Sequence, residues 1–95
     1  MFVLILKYVV PLDKIDELVP AHLRFLNKNY LRNKFICSGP QVPRTGGIIL
    51  CNAEDKEELE QIIAEDPFLI HGAAHYDIIE FTPTLYASRF ELFVE

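Results

Sequence analysis

Phe2 to Val10 limits the architecture more than any other segment, because it is almost continuously apolar and rich in Val, Ile and Leu. A strand that is apolar on both sides must be covered on both sides, so it belongs in the middle of a sheet. At 95 residues the chain is long enough for one core and too short for two.

Pro11 ends that strand. Asp13 then offers a side-chain oxygen ahead of Ile15, Leu18, His22, Phe25, Leu26 and Asn29, whose spacing traces one face of a helix over roughly residues 12 to 32. Pro20 falls inside this stripe, so the helix is either kinked there or restarts with Pro20 at its first position. The second case puts His22 in or near a first helical turn. Lys34 to Ser38 reads as a second strand that Gly39-Pro40 closes, and the loop 39–47 leads into an antiparallel third strand, Ile48 to Asn52. From Glu54, charges interleave with Leu59, Ile62 and Ile63 in a short amphipathic helix that ends near Glu65, stopped by Asp66-Pro67. Residues 68–74 read as a further helical turn, and His75 to Thr82 alternates as a fourth strand. Phe90, Leu92 and Val94 recur at period two, which suggests a fifth strand or an arm on a neighbouring chain.

Strand, helix, strand, strand, helix, strand is the order of the α+β, ferredoxin-like split βαββαβ fold: an antiparallel four-stranded sheet with both helices on one face. Residues 1–85 make this domain, and residues 86–95 form a C-terminal extension. The bare sheet face would expose a large apolar patch, which a second copy covers most simply, giving a homodimer through sheet faces of the dimeric α+β barrel kind. A lone domain sealed by its own tail is the alternative.

The net charge of −5 is spread along the chain, without a basic stripe, so nucleic acid is not an expected partner. The apolar start is broken by Lys7 and Pro11, so no membrane span and no secretory leader are expected. Two cysteines, Cys37 and Cys51, each inside an apolar run, read as buried free thiols of a cytoplasmic protein.

Three features could carry chemistry. His22 lies on the apolar stripe and points toward the sheet. If Pro20 opens the main helix, the positive helix end favours the neutral imidazole that a general base needs; a hydrogen-bonded core histidine is the plainer reading. Asp66 can cap local N–H groups in its Asp-Pro turn, and both helices pack on one sheet face, so the same carboxylate can approach and orient His22 as an acid/base pair. The loop from Ser38, Gly39 and Pro40 to Arg44 and Gly47 offers backbone N–H groups and a guanidinium fork for a carboxylate or phosphate, although it lacks phosphate-loop spacing and a flexible hairpin accounts for its glycines equally well. His71 and His75, four apart, would share a helix face without a third metal ligand. Cluster-binding and metal-transfer uses of the fold fail for want of cysteines, and an RNA-binding surface fails for want of strand aromatics among basic residues.

PAHLRFL at 20–26, FICSGP at 35–40, PRTGGIIL at 43–50, EDPF at 65–68 and EFTPT at 80–84 together resemble the YciI-like, or YCII-related, family over residues 1 to about 85. The resemblance implies a dimeric α+β barrel with His22 and Asp66 as a proposed catalytic pair and Ser38, Gly39 and Pro40 lining the same cleft. The segment His71-Gly72-Ala73-Ala74-His75 departs from the commoner family pattern, and the tail after Thr84 lies outside it. The expected function is cofactor-independent lyase or isomerase chemistry on a small cyclic or anionic metabolite, akin to the dehydrohalogenation attributed to some members. Arg44 and Ser38 would hold the developing oxyanion. The alternatives are a non-catalytic ligand-binding or interaction module using the same cleft, or His22 as a nucleophile.

Overall fold

The apolar opening segment becomes β1 (Phe2–Tyr8), an inner strand. It pairs antiparallel with β3 (Gly46–Cys51) on one side and with β4 (Ala74–Glu80) on the other. At the edge β2 (Phe35–Pro40) pairs antiparallel with β3, giving the order β2-β3-β1-β4. A computed structural model describes residues 1–94 of the chain. Between the strands run α1 (Leu12–Leu31), α2 (Lys56–Ile63) and the one-turn α3 (Pro67–Ile70). This is the ferredoxin-like α+β arrangement that the element order implies.

Burial alternates along β1. Phe2, Leu4 and Leu6 are buried and join Ile49, Cys51, Ile15, Phe25, Leu59, Ile62 and Phe68 in one core between sheet and helices. The intervening Val3, Ile5 and Lys7 face away. Across the ladder Val3 meets Leu50 and Ile79, Ile5 meets Ile48 and Asp77, and Lys7 meets Gly46 and His75. The outer face therefore has an apolar half at Val3, Ile5, Ile48, Leu50 and Ile79 and a polar end where Lys7 Nζ pairs with Asp77 Oδ2 at 2.7 Å. Gly46 is required where β3 crosses β1, since a Cβ there would lie 1.8 Å from the Leu6 carbonyl oxygen.

The structure corrects several readings of the sequence. The first helix does not restart at Pro20: α1 runs unbroken through it, and its preceding residue is Pro11, with Asp13 inside the first turn. Packing of Ile15, Phe25 and Asn29 on the core compensates for the one backbone donor that Pro20 lacks. His22 is thus mid-helix, away from the positive helix end. β2 continues through Gly39-Pro40, which an edge strand allows because its outer side needs no donor. An irregularity between Phe35 and Cys37 sets Cys37 opposite Leu50, on the outer face, so this thiol is exposed; Cys51 is buried, and burial pushes its thiol pKa up. The helical turn after α2 is only α3, and His75 already belongs to β4, so His71 and His75 share no helix face. Among the described residues the tail adds no fifth strand: Ser88–Phe93 is a 3-10 helix whose Phe90 packs against Phe93 and against Tyr86 ahead of the helix. Side chains three residues apart lie on one side of such a helix, which lets the Phe90 and Phe93 rings meet, whereas a strand would point them to opposite faces. Among the described residues, no helix is long and apolar enough to cross a membrane.

Candidate active site

The site grows from the tripeptide Asp66-Pro67-Phe68. Pro67 has a preset φ and no N–H, which suits the first position of α3, and Asp66 caps that turn by accepting from the Phe68 N–H at 3.0 Å. The same turn buries the Phe68 ring in the core, where it stacks on the imidazole of His22 with centroids 4.0 Å apart and planes 13° from parallel. His22 comes from the middle of α1, and its Nδ1 lies 2.8 Å from Asp66 Oδ1. The two residues singled out from the sequence, 44 positions apart, are hydrogen-bonded partners.

Asp66 is fully buried, and three donors meet it. Oδ1 receives the Phe68 N–H and His22 Nδ1, while Oδ2 receives the phenol of Tyr76. A carboxylate that only accepts fits this set, and Nδ1 then carries the imidazole proton. Nε2 has no hydrogen-bond partner among the described residues and keeps some solvent access, the side chain being 13% exposed. Burial raises the Tyr76 phenol pKa far above its usual range, and the negative charge of Asp66 adds to the effect.

His22 lines a cavity of about 310 Å³ between α1 and the sheet. Val19, Leu23 and Leu26 form the helix wall, Leu6, Tyr8 and Ile49 the sheet wall, and Phe68 closes the side next to His22. Ser38, Gly39, Pro40 and Arg44 line it too, so all the loop residues proposed from the sequence border the space that His22 enters. Asp66 does not, and can act on a ligand only through the imidazole. The Ser38 hydroxyl is fixed by the phenol of Tyr30 at 2.6 Å. Arg44 reaches α1, where its Nη2 donates to Asp16 Oδ1 at 2.6 Å; that bond raises the guanidinium pKa further, with Tyr8 contributing. Among the described residues, no three His, Cys, Asp or Glu side chains gather as a metal site.

Sequence reasoning missed Tyr76, Tyr8, Tyr30, Phe68 and Asp16. The register held a clue to two of them: Tyr76 lies opposite Leu6, and Tyr8 follows Leu6 by two, so both share its helix-facing side.

Apolar walls, one imidazole with an open nitrogen, a serine hydroxyl and a guanidinium suit a small ring bearing an oxygen or carboxylate. In fold, the chain is similar to 5-chloro-2-hydroxyhydroquinone dehydrochlorinase from Burkholderia phenoliruptrix, solved in complex with 2,5-dihydroxybenzoquinone. The TM-score is 0.70 and the identity 24%, over 85% of this chain and 93% of that one. No curated protein sequence matches. The family model for the YCII-related domain matches residues 1–82, and the chain belongs to that family.

Proposed function

We propose that this protein is a small-molecule enzyme in which His22 and Asp66 act as an acid/base pair on a small cyclic or anionic metabolite. Nε2 of His22 takes a proton from carbon or oxygen of the ligand, and Asp66 holds the ring in the Nδ1–H form and stabilises the imidazolium that results. The electron pair released moves into an enolate or phenolate oxygen, for which Ser38 and Arg44 supply donors. It then expels a leaving group, which is lyase chemistry, or picks up the proton at another carbon, which is isomerase chemistry. The bond from His22 Nδ1 to the buried Asp66, with the ring bordering the cavity, carries this reading.

The dehydrochlorinase with the same fold supports it, since removing HCl from a hydroxylated ring is an elimination of this type. A second copy belongs to the proposal. The apolar half of the outer sheet face pairs with its own image, making a homodimer and leaving the cavity on the helix side. The unpaired thiols at Cys37 and Cys51 fit a cytoplasmic location.

The test uses 2,5-dihydroxybenzoquinone as a binding probe and chlorinated hydroxyhydroquinones as substrates, with chloride release as the assay. Turnover should fall about 100-fold or more in His22→Ala, with the circular dichroism spectrum unchanged and the probe still bound. Probe binding without turnover by the unaltered protein would favour the ligand-binding module instead. Unfolding of the variant would reduce His22 to a core residue.

A further inference from the structure

We propose that Tyr76 is a positioning residue of this site, holding Asp66 as an ionised acceptor so that His22 keeps its proton on Nδ1 and presents a lone pair at Nε2. The inference rests on the reading of His22 as a base and adds a third member to the pair.

A carboxylate as deeply buried as Asp66 stays charged only if donors replace the water it has lost. Among the described residues no lysine or arginine pairs with it. Its Oδ1 already receives the Phe68 N–H at 3.0 Å and His22 Nδ1 at 2.8 Å, so among the described residues the phenol of Tyr76 is the one donor left for Oδ2. The fold delivers that phenol without freedom to leave: Tyr76 sits in β4 opposite Leu6 of β1, on the helix-facing side, ten residues after Asp66. Burial and the adjacent negative charge keep the phenol protonated, so it donates and does not compete for the proton.

Other titratable groups around the pair leave this role to Tyr76. Across the cavity stand Tyr8 and Arg44, and the guanidinium is bound to Asp16. Cys51, from β3, is the neighbouring group that acts on Tyr76 itself, and its thiol is pushed toward the neutral form by burial.

Removing the phenol should therefore have a signed effect. Protonating the His22–Asp66 pair cancels negative charge at Asp66, and this gain grows when Oδ2 has lost its donor. In Tyr76→Phe the His22 midpoint, followed by NMR of the imidazole, should rise by about half a pH unit or more, and the neutral ring should lose its uniform Nδ1–H tautomer. A midpoint and tautomer unchanged in a folded variant would overturn the proposal, as would an unaltered protein whose neutral His22 carries its proton on Nε2. Should Tyr76→Phe fail to fold, 3-fluorotyrosine placed at position 76 by amber suppression keeps the shape and makes a stronger donor. There the midpoint should fall, and no movement refutes the role. Both readouts are taken without substrate, so failure here leaves the acid/base reading to the His22→Ala assay, and failure of that assay leaves Tyr76 untouched.

Discussion

At the scale of single residues, Asp66 accepts from backbone and side chain together. Glu58 is a second example: its Oε1 accepts from the Glu54 N–H and from Lys34 Nζ, each at 2.9 Å. Its own N–H donates to the capping carboxylate of Asp55 at 2.8 Å. The Glu54 N–H, then Lys34, hold the Glu58 carboxyl below the usual glutamate range. A group whose pKa is lowered on folding adds stability above its unfolded value and loses it as the pH falls through the folded one. Glu58→Gln should therefore be less stable than the unaltered protein at neutral pH, on the order of 0.5–1 kcal/mol. The difference should close on acidification below the ordinary glutamate range, as denaturant titrations at several pH values would report. His22 and Asp66 were legible in the sequence for an equally local reason: an apolar stripe aims the first inward, and an Asp-Pro turn fixes the second. Tyr76 was not legible, because a tyrosine in an alternating strand reads as half-buried whichever way it faces, and only the pairing of β4 with β1 decides that.

Among the elements, α1 is where propensity and packing disagree. Pro20 is exposed and lies inside an unbroken helix, where it cannot donate to the carbonyl four residues back. The helix persists because Ile15, Phe25 and Asn29 are buried on either side of it, and no pattern of residues announces that such burial outweighs a missing hydrogen bond. Pro20→Ala restores the donor without disturbing the core. It should raise the stability by about 1–2 kcal/mol after allowing for the greater freedom of the unfolded chain, seen as a higher urea midpoint with an unchanged slope. The same logic explains the tail. Period-two spacing of Phe90, Leu92 and Val94 suggests a strand, but a strand forms only where a sheet edge receives it, and here the rings of Phe90, Phe93 and Tyr86 find one another first.

On the scale of the whole molecule, the apolar strand that opens the chain settles more than its own place. Being inner, β1 leaves Val3 and Ile5 on the sheet face turned away from α1 and α2, with Ile48, Leu50 and Ile79 beside them. If a second copy covers that patch, Ile5→Glu should yield monomers by analytical ultracentrifugation while the helix-side core, and with it the circular dichroism spectrum, stays as it was. An Ile5→Glu protein that still sediments as a dimer would remove the sheet-to-sheet pairing. The topology was readable because element order leaves few alternatives for so short a chain. The polar end of the outer face at Lys7, Asp77 and His75 was not, since facing depends on register.

Asp66 closes the turn that opens α3 and also aims the ring that faces the cavity. Under the proposed function, a substitution there strikes foldability and chemistry at one stroke, which leaves little room for drift toward another ligand at this position. It has ample room at Val19, Leu23 and Leu26, which border the same space while bearing no part of the turn. Under that function, a change of ligand would come from resculpting the helix wall around the fixed corner at His22 and Asp66.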